Sequence, residues 1–191
     1  MKITFRKFTH LAIYYLTPIG LVYFSFTTRD PLFFARLGTY TLYVLLVVLF
    51  CKPLAILTDA KWLWKLKAYR RELGLLSFWL FFFHAGGNIY SYQLYTFTTW
   101  PVFVYWGAAA GVGMLILGAT SNNYAVRLLR RNWKKLHRIV YFVFFAALVH
   151  IALGKQEYVL YGSIFAVYFS LKLLEWRKTK KMTAPRASKS G

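Results

Sequence analysis

Runs of apolar residues alternate with short polar segments along almost the whole chain. A hydrocarbon layer of about 30 Å requires about 20 apolar residues in a helix, and six runs approach or reach that length. The pattern therefore predicts an all-α polytopic membrane protein, built as a six-helix transmembrane bundle. The predicted spans cover about residues 8–26, 38–58, 73–92, 100–119, 135–153 and 157–176.

These spans use most of the 191 residues, so we expect one domain over residues 1–176, followed by a basic tail over 177–191. The composition agrees, because 59% of the residues are hydrophobic whereas soluble domains have about 45–50%. The first span is expected to remain in the mature protein, since it is longer than the apolar part of a signal peptide and no small-residue cleavage site follows it. The sequence leaves no room for a soluble catalytic module and contains no nucleotide-binding signature.

Positive charge is concentrated in alternate loops. The formal net charge is +20, and 21 cations lie in the N-terminal segment, the second and fourth loops and the C-terminal segment. The other loops hold only Arg29, Arg36 and Lys155. The positive-inside rule then places both termini in the cytoplasm, with the basic face against anionic lipid headgroups. We expect no nucleic-acid partner, because the charge follows the membrane topology.

Three histidines lie in or at the mouth of the apolar runs: His84, His137 and His150. Ionisable side chains are costly in a membrane and usually mark a functional path, and neutral imidazole is the commonest metal ligand. The third and fifth spans run in the same direction. His84 follows Arg71 by 13 residues and His150 follows His137 by 13, which is about 20 Å along a helix axis in each case. His84 and His150 are therefore expected at one depth toward the outer leaflet, with His137 at the cytoplasmic mouth.

Two imidazoles at one depth on adjacent helices can hold a haem iron from both sides, and haem also suits an aromatic lining. The alternative is that each buried histidine is only a structural hydrogen bonder. A 13-residue step rotates an ideal helix by about 220°, so His137 and His150 do not share a face, and His137 is not expected to join His84 and His150 at one iron. It serves a different ligand or none. His10 is expected to be solvated and is assigned no role.

The fourth span contains a stripe of small residues that includes Gly107 and Gly111. A small-xxx-small stripe lets another helix approach closely, and we favour this packing interpretation. The alternative is that the stripe leaves room for a flat cofactor.

Several short motifs surround the histidines at a specific spacing. Arg70-Arg71 followed by Leu73-Gly74-Leu75 leads to His84, and further matches are Leu37-Gly38-Thr39, Pro53-Leu54-Ala55, Thr120-Ser121, Arg127, Trp133, Leu136-His137, Tyr141 and His150. Together they resemble the R-R-x-L-G-L…H and T-S…R…W-x-x-L-H…Y…H patterns of the MsrQ family, formerly YedZ. That family is the haem-binding membrane subunit of a methionine sulfoxide reductase system. The resemblance covers about residues 30–155 and places the chain among the ferric-reductase-like transmembrane domains, which include the NADPH oxidases.

This resemblance implies a bundle in the bacterial inner membrane that binds haem b, with His84, His137 and His150 as its haem-associated histidines. It also implies FMN as a cofactor. Electrons would pass from a cytoplasmic flavin reductase, through flavin and haem, to a periplasmic molybdopterin enzyme that repairs oxidised methionine. The chain would then be the electron-transfer subunit of an oxidoreductase system rather than a self-sufficient enzyme, and the sequence suggests no catalytic nucleophile or acid–base pair.

The chain departs from the larger family members on the third helix, where Arg70 or Arg71 stands in place of an inner histidine. One haem is therefore expected, and at the inner level His137 holds a second haem with one protein ligand, lines a flavin site or does neither. Four arginines either bind a phosphate or haem propionates, which suit guanidinium groups, or supply only positive-inside charge. They are Arg70, Arg71, Arg127 and Arg131.

Two other functions remain open from the sequence. The first is a ferric or quinone reductase whose haem serves a different acceptor. The second is a small transporter or structural membrane subunit in which the histidines relay protons. A visible absorption spectrum separates the redox functions from the others.

Overall fold

The computed structural model describes residues 5–28, 30–92 and 96–183. Every regular element in these ranges is helical, and five helices are long and apolar enough to span a membrane. The prediction of an all-α polytopic membrane protein is thus confirmed. The α-helices are α1 (Phe5–Leu11), α2 (Thr17–Thr27), α3 (Pro31–Thr58), α4 (Lys61–Ala68), α5 (Arg70–Ser91), α6 (Val102–Ala119), α7 (Asn123–Leu129), α8 (Arg131–Leu136), α9 (Ile139–Lys155) and α10 (Tyr158–Thr183).

The first predicted span is helical but irregular, and it is not among the five candidate spans. Between α1 and α2 the segment Ala12–Leu16 is π-helical. Pro18 follows this segment, and proline removes a helical hydrogen bond and clashes with the preceding turn. The hydroxyl of Thr17 donates to the Ala12 carbonyl at 3.1 Å and so satisfies an acceptor at the irregular turn. The count of six uniform membrane helices therefore becomes five plus one interrupted helix.

Two of the predicted spans are longer than expected. Helix α3 begins at Pro31 instead of residue 38, because the Asp30 carboxylate caps it by accepting from the Leu32 amide at 2.8 Å. Proline at the first helical position fits there without loss of a hydrogen bond. Helix α10 continues to Thr183, so the first part of the predicted tail extends the last helix. Residues 184–191 lie outside the described residues.

Helices α3, α5, α6 and α9 form the centre of the bundle, and α10 packs against α3 and α9. Side-chain contacts fix the register of each pair. The Ser77 hydroxyl of α5 donates to the Thr41 carbonyl of α3 at 3.1 Å, and the rings of Phe144 on α9 and Tyr168 on α10 lie 5.1 Å apart. Helix association in a membrane depends on such close packing rather than on exclusion of water.

Charged loops gather at one end of this bundle. We call it the basic end and define it as residues 59–71, 120–138 and 177–183; the other end is the opposite end. At the basic end the Arg71 guanidinium donates to the Asn123 side-chain oxygen at 2.7 Å. The Lys178 ammonium donates to the Leu57 carbonyl at 3.1 Å. These bonds tie the starts of α5 and α7, and the ends of α3 and α10, to each other.

Candidate metal centre

His84 of α5 and His150 of α9 meet inside the bundle near its opposite end. Their ring centres are 6.4 Å apart and the ring planes are inclined by 71°. Because metal–imidazole bonds are about 2.0–2.1 Å long, two imidazoles on opposite sides of one metal ion have ring centres roughly 6–6.5 Å apart. The separation therefore suits a single ion held between the two rings.

Main-chain carbonyl groups hold both rings in the same way. His84 Nδ1 lies 2.8 Å from the Phe34 carbonyl oxygen of α3, and His150 Nδ1 lies 2.7 Å from the Phe103 carbonyl oxygen of α6. A carbonyl oxygen only accepts hydrogen bonds, so each Nδ1 carries the proton and donates it. Each neutral ring then keeps the lone pair on Nε2, which is the arrangement usual in metal-ligating histidines.

Each ring also lies directly on a glycine of the helix that supplies its carbonyl. A Cβ atom at Gly38 of α3 would stand 2.5 Å from His84 Cε1, and a Cβ at Gly107 of α6 would stand 2.8 Å from His150 Nδ1. Only glycine leaves room for such an approach. The two halves of the centre are thus built alike. In one half the imidazole comes from α5 and the carbonyl and glycine come from α3. In the other half the imidazole comes from α9 and the carbonyl and glycine come from α6.

The small-residue stripe of α6 therefore has two separate uses. Gly107 receives the His150 ring, whereas a Cβ at Gly111 would stand 2.8 Å from Cζ of Phe81 on α5. Helix packing accounts for Gly111, as predicted, and the histidine centre accounts for Gly107. Asn88, one turn after His84, adds a further contact, because its amide nitrogen donates to the His84 carbonyl oxygen at 2.7 Å.

Two imidazoles make a centre with few protein ligands. Within the described ranges, no three side chains of His, Cys, Asp or Glu come together to hold an ion. A haem iron fits this donor set, because its porphyrin supplies the other ligands and the protein supplies axial imidazole.

His137 lies at the basic end, in a break between α8 and α9. Its Nε2 is 3.1 Å from the Thr120 hydroxyl oxygen, and its ring lies 3.9 Å from the Trp133 ring, centre to centre. Because the Thr120 hydroxyl donates to the Ile116 carbonyl at 2.7 Å, it accepts from His137 Nε2. The free lone pair of neutral His137 is therefore on Nδ1, the reverse of the arrangement at His84 and His150.

The position of His137 along the bundle follows from α6. Thr120, which contacts His137, and Phe103, which contacts His150, are separated by 17 residues, or about 25 Å of helix. His137 is therefore remote from the pair, as the sequence predicts. At the junction of α8 and α9 the chain makes a two-residue turn at His137 and Arg138.

The four predicted arginines lie on three helices: Arg70 and Arg71 on α5, Arg127 on α7 and Arg131 on α8. Arg127 and Arg131 are exposed on α7 and α8. Arg71 is half-buried and bonded to Asn123. Arg70 is also half-buried, and its Nε is a buried atom that has no hydrogen-bond partner within the described residues.

The sequence did not identify several contacts near these sites. His10 is not simply solvated, because its ring stacks on Tyr14 at 3.9 Å, and the Tyr14 hydroxyl donates to the Ser121 carbonyl at 2.6 Å. The carbonyl groups of Phe34 and Phe103 were also missed, since side-chain identity does not report on main-chain contacts. The available signals were Gly38, which lies in a matched motif, and Gly107, which lies in the small-residue stripe.

Comparison with known families shows the class of protein to which this chain belongs. The family described as "Ferric reductase like transmembrane component" matches residues 35–148, a range that includes His84 and His137 and ends just before His150. The chain belongs to this family of ferric-reductase-like membrane proteins.

Individual relatives show to which family within this class the chain belongs. The protein of Rhizobium meliloti called "Protein-methionine-sulfoxide reductase heme-binding subunit MsrQ" is 32% identical to this chain, over 76% of this chain and 68% of the relative. Proteins of the same name occur among the other relatives. In Bordetella pertussis the identity is 34%, over 73% of this chain and 72% of the relative. In Brucella anthropi it is 31%, over 78% and 69%. The chain is thus a member of the MsrQ family. No solved structure matches it significantly.

Proposed function

We propose that this chain is a membrane electron-transfer subunit that binds haem b between His84 and His150. The observation that carries the proposal is the pair of rings whose centres are 6.4 Å apart, each with its Nδ1 proton held by a carbonyl. The name of the MsrQ relatives, as heme-binding subunits, supports the same assignment. A haem would supply a one-electron redox centre there, with a potential that depends on its axial ligands.

The protein's own contribution is to hold the two imidazoles in one tautomer and orientation. Main-chain carbonyls fix the direction of each Nδ1–H, and the bare glycines fix how deeply each ring sits. Such supporting contacts typically change metal affinity by about 10- to 100-fold when they are removed. Contacts among four membrane helices thus keep the Nε2 atoms of both histidines free to bind a metal ion.

A second redox group near His137 completes the proposed path. The metal centre and the Thr120–His137 contact are separated by about 25 Å of helix, so electrons that enter at the basic end need a relay. We assign that relay to FMN or to a second haem beside His137, with the ring of Trp133 as a packing surface. Arg70, Arg71, Arg127 and Arg131 would offer phosphate or propionate partners.

The proposed direction follows from the positive charge. The basic end would face the cytoplasm of a bacterium, with both termini on that side, and the His84–His150 centre would face the periplasm. A cytoplasmic flavin reductase would donate electrons, and a periplasmic molybdopterin-containing methionine sulfoxide reductase subunit would accept them. The name of the relatives supports a link to methionine sulfoxide reduction.

The test is an oxidised-minus-reduced absorption spectrum of the purified full-length protein, followed by stopped-flow reduction with a flavin reductase, NADH and FMN. We expect a reducible b-type spectrum, reduction by the flavin system, and reoxidation by a purified periplasmic methionine sulfoxide reductase. Absence of haem would contradict the proposal and favour a transporter or a structural subunit. Reoxidation by ferric chelates or quinones, but not by the reductase, would contradict the assigned acceptor.

A further inference from the structure

A groove on the outside of the bundle suggests a second binding site, independent of the metal centre. The groove has a volume of about 490 Å³ and lies between α3, α4 and α10, within the usual size range of small-molecule sites. Its walls are made almost entirely of hydrocarbon and aromatic side chains. These include Leu46, Phe50 and Leu54 of α3, Trp62 and Leu66 of α4, and Val167 of α10.

The depth of the groove matches one half of a bilayer. On α3 it runs from Leu46 to Leu54, which is about 12 Å at 1.5 Å per residue. One leaflet of a hydrocarbon layer of about 30 Å is about 15 Å thick. The groove therefore extends from the basic end to a depth that a lipid acyl chain reaches.

The groove closes at the basic end against α4, which carries positive charge beside it. Trp62 and Leu66 line the groove, and Lys61 and Lys65 form the next row of the same helix. Both lysines are exposed, and neither has an ion-pair partner within the described residues. Trp62 is 64% exposed, as expected for an indole ring at headgroup depth.

We infer that this groove binds one anionic phospholipid, with an acyl chain between α3 and α10 and the headgroup phosphate on Lys61 and Lys65. The apolar wall takes up the chain, and the adjacent lysine row selects the charge of the headgroup. The lipid also covers the apolar junction of α3, α4 and α10, and so fixes α4 against the bundle just before α5 begins. This inference does not depend on the proposed redox function.

The experiment is native mass spectrometry of the full-length protein, released from micelles that contain equal amounts of phosphatidylglycerol and phosphatidylcholine. We expect one phosphatidylglycerol to be retained in preference to phosphatidylcholine, and about tenfold weaker retention in Lys61→Gln/Lys65→Gln. The matched control is Lys134→Gln/Lys135→Gln. It removes the same charge from α8 at the basic end, away from the groove, and should retain the lipid normally.

A second variant tests the apolar wall. Ser163 lines the groove on α10, and Ser163→Trp should fill it and reduce retention of both lipids, while circular dichroism shows that the fold is intact. Equal loss of lipid in both lysine double variants would overturn the inference, since it would indicate a general charge effect. Retention of phosphatidylcholine as strongly as phosphatidylglycerol, or of a quinone in place of lipid, would overturn it as well.

Discussion

The rings of His84 and His150 lie 6.4 Å apart, centre to centre, and each donates its Nδ1 proton to a main-chain carbonyl of another helix. The donors come from α5 and α9 and the acceptors from α3 and α6, so all four central helices meet at this point. Carbonyl groups cannot be removed by substitution. The positions at which a substitution can alter the placement of the rings are therefore Gly38 and Gly107, the two glycines on which the rings lie.

Substitution of either glycine should release haem without disturbing the rest of the bundle. In Gly38→Ala the added Cβ would stand 2.5 Å from His84 Cε1, and in Gly107→Ala it would stand 2.8 Å from His150 Nδ1. Because the rings must move away, we expect haem affinity to fall about 10- to 100-fold. Haem titration of the apoprotein, followed by absorption, measures this.

Gly162→Ala is the matched control for these variants, because nothing lies within 4 Å of a Cβ at this position of α10. It should bind haem as the unchanged protein does. Equal haem affinity in Gly38→Ala and Gly162→Ala would show that the His84 ring does not depend on the glycine.

The Thr120 hydroxyl is expected to matter for electron entry but not for the haem at the metal centre. In Thr120→Val the acceptor for His137 Nε2 is lost, so the imidazole is no longer fixed at the basic end. We expect the spectrum of the haem between His84 and His150 to be unchanged, while its reduction by reduced FMN becomes about tenfold slower. Stopped-flow absorption gives both readings from one sample.

Thr120→Ser keeps the hydroxyl group, so its haem should be reduced by reduced FMN at the same rate as the haem of the unchanged protein. Equal rates in Thr120→Val and Thr120→Ser would remove the Thr120 contact from the path of electron entry. Loss of the haem spectrum in Thr120→Val would contradict the separation of the two sites.

Glu175 is a structural charge that links α3 to α10. It is 4% exposed and forms ion pairs with Lys52 at 2.5 Å and with Lys172 at 2.7 Å. Glu175→Gln would leave two cations without a counter-ion. Removal of one partner of a fully buried pair costs about 3–5 kcal/mol, and the lysine side chains are 38% and 29% exposed, so we expect a loss of about 1–2 kcal/mol.

Thermal unfolding in detergent, followed by circular dichroism, measures this loss. Glu157→Gln, at an exposed position before α10, is the control and should leave the midpoint unchanged. The double variant Lys52→Gln/Glu175→Gln should recover part of the stability. Identical midpoints for Glu175→Gln and Glu157→Gln would show that the ion pairs contribute nothing.

The depth of the histidines could be predicted from the sequence, because depth depends only on the rise per residue. Helix α5 is continuous from Arg70 to Ser91, so counting residues from Arg71 to His84 gives a reliable distance. The count from His137 to His150 still holds, because the break before α9 is short. Rotation about the helix axis is more sensitive than rise to a short turn such as the one at His137 and Arg138, so the depth of these two histidines is the firmer prediction.

Contacts between distant segments could not be predicted in the same way. The bond from Arg71 to Asn123 and the ion pair from Lys52 to Glu175 join residues far apart in the chain. They depend on which helices are neighbours, and one sequence does not give that. Pro18 is a sequence signal for an irregular helix, because proline removes a helical hydrogen bond, but the residue types alone do not distinguish a simple kink from a π-helical segment.

The most direct test of the central claim is the absorption spectrum of His150→Ala beside that of His137→Ala. We expect His150→Ala, like His84→Ala, to purify without the haem of the metal centre, because one of its two ligands is gone. His137→Ala should retain that haem and be reduced more slowly by reduced FMN. A His150→Ala protein with an unchanged haem spectrum would contradict the account.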